Sequence, residues 1–179
     1  MSKWLIVYSS VTGNTKNIAE AMFKVAPEGS SIANIQDNPS IDSYAVIVVG
    51  FWVTRGGPDP LAQKFLSKIH DKTVILFQTH GAEPASEHAI TSLAKAAYLL
   101  GENCFLLGTF SCQGKINPAL LERRKTLTTD NPHYHNETNL ARWAKAANHP
   151  NSQDLQNAKD FVAKMQRKIA MRNKFYQEK

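Results

Sequence analysis

The chain has 179 residues, 42% of them apolar and 20% charged, a composition that predicts one folded domain spanning 1–179 and excludes a low-complexity or disordered chain. No apolar run approaches the roughly 18–20 residues of a membrane span, and the start of the chain lacks a signal-peptide layout, so a cytoplasmic protein is expected with no membrane partner. The net charge of +6 is uneven: eight Lys/Arg face nine Asp/Glu up to Ser111, six face three from Cys112 to Pro150, and seven face three thereafter. Such an excess favours an acidic partner. The basic segments carry no nucleic-acid motif and no interleaved aromatics, so no nucleic acid is expected.

In chain order, Lys3–Tyr8 is a nearly continuous apolar run, the pattern of a strand buried on both faces. Asn14–Ala26 carries a helical stripe of Ile18, Ala19, Met22, Phe23 and Ala26. Ser31–Ile35 is a weaker strand, expected at the sheet edge, and Ala45–Phe51 is a strong one. Leu61–His70 predicts a helix, Thr73–Phe77 a buried strand, and Ser86–Leu100 a helix capped by Ser86 and closed by Gly101. Asn103–Phe110 predicts the fifth strand. The next segment, about 112–150, breaks this rhythm. It predicts short helices at Pro118–Lys125 and Thr138–Ala147 around a polar, turn-rich stretch, an insertion before a last helix over Ser152–Phe175. Strands alternating with helices predict an α/β fold with a doubly wound parallel sheet and helices on both faces. Ligands of such sheets bind beyond the carboxyl ends of the strands.

The segment leaving the first strand is Ser9-Ser10-Val11-Thr12-Gly13-Asn14-Thr15. Backbone N–H groups at the start of a helix, with the hydroxyls of Ser10, Thr12 and Thr15 and the amide of Asn14, suit an anion, while Gly13 frees the backbone. The chain contains neither GxxxxGK[ST] nor GxGxxG, which disfavours a nucleoside triphosphate or a dinucleotide. A phosphate monoester remains. Cys104 and Cys112 lie at the two ends of one predicted strand and the turn after it, about 26 Å apart if extended, beyond disulfide reach. No base for nucleophilic catalysis by Cys112 is identifiable, and His133 and His135 lack further ligands, so neither a catalytic residue nor a metal site is assigned.

The pattern Ser10-x-Thr12-Gly13-x-Thr15, following the first strand of a five-stranded α/β chain, resembles the phosphate loop of flavodoxins. The resemblance covers Met1 to about Ser111 and the last helix; the 112–150 insertion does not match the strand-five insertion of longer flavodoxins. It implies a sheet order of 2-1-3-4-5 and FMN as cofactor, with the phosphate on Ser10, Val11, Thr12, Gly13, Asn14 and Thr15. It further implies that the loops after strands three and four hold the flavin ring. Here these are Phe51, Trp52, Val53, Thr54, Arg55 and Gly56, then Thr79, His80 and Gly81, with Trp52 the first choice for stacking and Phe51 the second. His80 would pack on or hydrogen-bond to the ring. Arg55 and His80 would add positive charge near it and make the potential less negative. The implied function is an electron-transfer flavoprotein serving a redox partner protein with an acidic docking face, reached through the insertion or the final helix. The alternative is an NAD(P)H-dependent FMN or quinone reductase-type oxidoreductase on the same fold.

Overall fold

A strand with apolar residues at every position must be covered on both sides, and the first strand shows how the chain achieves this. The computed structural model describes the backbone of residues 3–177 and side chains to residue 175. In β1 (Trp4–Tyr8), Trp4 and Ile6 enter one core while Leu5 and Val7 enter another on the opposite face. The remaining parallel strands are β2 (Ser31–Asn34), β3 (Val46–Thr54), β5 (Thr73–His80) and β6 (Phe105–Gln113). With the two-residue β4 (Gly57–Pro58) set aside, the order is β2-β1-β3-β5-β6, which is the expected 2-1-3-4-5 arrangement.

Helices α1 (Asn14–Phe23) and α6 (Ser152–Gln177) cover one face through Ile18, Met22, Val162 and Met165. Helices α2 (Pro60–Leu66) and α3 (Glu87–Tyr98) cover the other through Phe65, Leu66 and Ala96. The insertion forms α4 (Pro118–Arg124) and α5 (Glu137–Ala146). Its turn-rich stretch is organised by Asn139, whose amide donates to the carbonyls of Pro132 and Tyr134. Lys145 of α5 pairs with Glu83 at 2.9 Å, and the N–H of Lys115 donates to the carbonyl of His149 at 2.7 Å, which ties the insertion to the carboxyl edge of the sheet. Among the described residues no helix is long and apolar enough to cross a membrane.

Several boundaries differ from expectation: α1 ends at Phe23, β5 runs past Phe77 to His80, and four others have a local reason. Strand β3 runs on to Thr54 and folds back antiparallel onto β4, because Arg55 (φ 49°) and Gly56 (φ 74°) make a two-residue hairpin turn with positive φ at both positions. Strand β6 runs past Phe110 to Gln113, because Ser111, Cys112 and Gln113 continue to pair with β5 up to His80. Helix α2 is shorter than Leu61–His70, and Asp71 beyond it is left-handed (φ 53°). Gly101 does not close α3 in a left-handed conformation. It is needed because a Cβ there would lie 2.2 Å from Nδ1 of His70.

Candidate functional site

The carboxyl ends of β1, β3, β5 and β6 converge, and the turn after β1 is the most distinctive of them. Gly13 caps α1 at φ 88°, where a side chain would be strained although nothing lies within 4 Å of the place a Cβ would take. Glycine is therefore required here by conformation and not by space. With Gly13 as cap there is no side-chain cap bond and no acidic residue in the first turn. The first N–H groups of α1 thus keep their positive end unanswered. Three residues earlier, Oγ of Ser10 is buried with no hydrogen-bond partner. A buried hydroxyl without a partner carries a desolvation penalty of about 1–3 kcal/mol, which a ligand oxygen would relieve. Val11 and Thr12 are exposed in the turn.

Asn14 donates to the carbonyl of Lys115 at 2.8 Å, which joins this turn to the segment after β6. Gly114 permits the approach, since a Cβ there would lie 2.8 Å from the Asn14 amide nitrogen. Thr15 is buried, and its Oγ1 lies 2.8 Å from Oγ1 of Thr79. Two hydroxyls sharing one hydrogen bond leave one O–H free to donate outward. Thr15 and Thr79 together therefore offer a single donor, so the donor expected of Thr15 is shared with Thr79.

Alternation along β3 decides between the two aromatic candidates. Phe51 is fully buried in the α2/α3 core, so its assignment as a stacking residue is corrected: it is a packing residue. Trp52 pairs in register with Thr79 and is only half-buried. Registered neighbours share a face, which places Trp52 on the side of Thr79, Thr15 and the turn after β1. Val53 packs partly on the opposite core, and Thr54, Arg55 and Gly56 form the hairpin end beside α3. A Cβ on Gly56 would lie 3.5 Å from Nζ of Lys95 and 3.6 Å from Cε1 of His88. Gly56 is thus a turn residue beside α3.

His80 also differs from expectation. It ends β5, is 5% exposed, and its Nδ1 lies 3.2 Å from the carbonyl of Ala82 while Nε2 lies 2.8 Å from Oγ of Ser111. The carbonyl requires the proton on Nδ1, so Nε2 accepts from Ser111, which accepts in turn from Gln78 at 3.0 Å. Burial, against the Ala82 carbonyl and with the field of His88, pushes the imidazole below its ordinary range. His80 is therefore a neutral member of a closed polar network and does not supply the positive charge expected of it. Gly81 is small because a Cβ would lie 2.6 Å from Ile116.

Asp59 is a residue that the sequence reading passed over, although Asp followed by Pro at the start of a helix is a cap signature. It is 1% exposed, and its Oδ1 accepts from Oγ of Ser9 at 2.9 Å and from the N–H groups of Leu61 and Ala62. It therefore fastens the root of the phosphate-type turn to α2. Burial raises its carboxyl above 3.8, opposed by Ser9 and the two N–H groups. Its pH-linked contribution is full below 3.8 and lost as pH rises through the folded value. Asp59→Ala should lower unfolding stability by about 2 kcal/mol, the loss of a cap and of a buried acceptor. Asp59→Asn keeps Oδ1 and should recover most of it. Urea unfolding of the three proteins checks this, and an Ala variant within about 0.5 kcal/mol of the parent would contradict it.

Cys112 is buried, and its thiol is pushed up to about 12 by burial, with the Asp154 carboxylate adding to the shift. A thiol so protonated is a packing residue. Both cysteines are free, and among the described residues no group of three or more His, Cys, Asp or Glu is placed to hold a metal ion.

A family model described as Flavodoxin domain matches residues 5–163. The chain is 30% identical over 176 residues to the flavodoxin-like domain-containing protein BilS of Clostridioides difficile (strain CD3), covering 94% of this chain and 99% of that protein. The protein of the same name from Clostridium symbiosum (strain WAL-14163) is 30% identical over 148 residues, covering 73% and 77%. A solved flavodoxin from the domain Archaea superposes with a TM-score of 0.56 at 17% identity, over 94% of this chain and 99% of that one. Flavodoxin 1 of Bacillus cereus gives 0.53 at 17% identity over 93% and 98%; at such identities the likeness is one of fold.

Proposed function

The chain belongs to the flavodoxin domain family, and from that premise we propose that it is an FMN-binding redox protein that passes electrons to or from a partner enzyme. The observation that carries this reading is the buried, unpartnered Ser10 hydroxyl just ahead of an uncapped, acid-free helix N-terminus. That donor set fits a phosphate monoester: neutral O–H and N–H groups, a positive helix end and no lysine. Ser10, Thr12 and the first N–H groups of α1 would hold the phosphate, with one further O–H from the Thr15–Thr79 pair. Asn14 would keep the turn in register with the segment after β6, and Trp52 would present its indole to the ring. FMN, when bound, supplies the electron-carrying chemistry, and the protein supplies orientation and electrostatics.

Purified protein should be yellow with bound FMN. Mixed anaerobically with NADH or NADPH, it should keep its flavin absorbance, because a carrier waits for its partner. Rapid bleaching by either nicotinamide alone would replace the carrier reading with that of an NAD(P)H-dependent reductase.

A further inference from the structure

The basic excess of this chain divides into two groups that face different ends of the molecule. Helix α6 starts beside the carboxyl end of β6, where Asp154 meets His149 at 2.6 Å and influences Cys112. It ends beside the start of that strand, where Lys168 donates to the carbonyl of Leu107 and Arg172 lies 4.0 Å over the ring of Phe105. Phe105 and Cys112 are seven residues apart on one strand, roughly 23 Å. Most of the α6 cations, from Lys164 onward, are thus carried away from the site.

The other basic side chains gather beside it. His88 and Lys95 of α3 flank the tip of the β3–β4 hairpin, which carries Arg55. From the insertion, Arg124 stacks on Trp143 at 5.2 Å, and Arg142 has its Nε buried without a partner. Among the described residues none of Arg55, His88, Lys95, Arg124, His133 and Arg142 forms a salt bridge. The nearby carboxylates Glu83 and Glu122 are already held by Lys145 and Lys125. Glu87 at the start of α3 and, in the insertion, Asp130 and Glu137 form no salt bridge among the described residues. These basic groups feel one another. Burial and then the field of Arg142 depress Arg124, while burial and then Arg124, Arg142 and His88 depress His133.

Inside this rim lies a groove of about 930 Å³ between the hairpin and α3, lined in part by Trp52, Pro58, Ala94, Lys95 and Tyr98, with no carboxylate in its wall. Tyr98 is 90% exposed and Ile90, two turns earlier, 61% exposed. A bare aromatic within an apolar centre, bordered by like charges without counter-ions, has the anatomy of a protein interface.

We propose that the face formed by the β3–β4 hairpin, α3 and the insertion docks the acidic surface of the redox partner protein over the groove, and that the cations of α6 take no part. The proposal rests on the carrier reading above. Trp52 belongs to the groove wall and is also the candidate stacking residue, so a partner seated there would contact the element that carries it. Steering by this rim makes encounter fast at low salt and slow at high salt.

The test uses FMN-loaded protein and a reduced, acidic [2Fe–2S] ferredoxin as probe, following flavin reduction by stopped flow at low and high salt. His88→Glu/Lys95→Glu should cut the second-order rate at low salt about tenfold and flatten its salt dependence. Lys164→Glu/Arg167→Gln, with the same net-charge change at pH 7.5, should alter it less than twofold. Lys95→Gln, a milder change at an exposed position, should give an intermediate loss. Equal losses from the two charge-matched pairs, or no loss from the first while FMN content is retained, would overturn the docking face alone. A parent chain that takes up no FMN would overturn the carrier reading beneath it as well.

Discussion

Thr12→Asp is expected to make the apoprotein slightly more stable and to weaken FMN binding strongly. The two effects have opposite sign because one carboxylate meets two different neighbours. Thr12 is exposed, one residue before the cap of α1, and the first turn of that helix holds no acid. A negative charge at an uncapped N-terminus gains about 0.5 kcal/mol from the helix dipole. The same charge would stand where a phosphate dianion must sit, and the repulsion should weaken FMN by about 3 kcal/mol, a hundredfold or more. Riboflavin, which has no phosphate, should bind the variant as it binds the parent. Thermal unfolding and flavin fluorescence titration measure the two effects independently. A variant that is less stable, or that binds FMN unchanged, would contradict the assignment of this turn.

Phe51→Ala and Trp52→Ala should separate cleanly although the residues are adjacent. Phe51 is fully buried between the sheet and the α2/α3 layer, so truncation leaves a large cavity and should cost about 3–5 kcal/mol. Whatever folds should bind FMN with an unchanged spectrum. Trp52 is half-buried on the face shared with Thr79, and its loss should cost much less stability. It should instead weaken FMN about tenfold or more and restore flavin fluorescence that the indole quenches. Urea unfolding and fluorescence titration of both variants decide the matter. If Phe51→Ala is the variant that releases FMN, the face assignment along β3 is wrong.

Much of the fold was legible because burial on both faces writes itself into sequence. The runs at Trp4–Tyr8, Val46–Phe51 and Thr73–Phe77 are apolar at nearly every position, and the helix stripes between them repeat at three and four. The turn Ser10–Thr15 was legible for a related reason: hydroxyls, a glycine and a helix start within six residues constrain what can bind there. What could not be read were relations between segments. Nothing near Thr15 shows that its hydroxyl is shared with Thr79, 64 residues away, so Thr15→Val would also orphan a buried partner and Thr12 is the cleaner probe. Nothing near His80 shows that β6 continues far enough for Ser111 to engage it. The hairpin at Arg55 and Gly56 escaped because Arg-Gly is an uncommon filling for a turn that usually carries Asn-Gly or Asp-Gly. Asp59 was missed although Asp-Pro at a helix start is visible in the sequence. The split of the basic charges between the insertion and the far end of α6 depends on the direction in which α6 crosses the sheet, which composition does not encode.

The central claim, a cradle for a phosphate monoester at the end of β1, is tested most directly by comparing FMN with riboflavin on the unmodified apoprotein. Isothermal titration at one ionic strength should give FMN an affinity at least a hundredfold above that of riboflavin, with the difference erased in Thr12→Asp. Equal affinities for the two flavins in the parent protein would contradict it.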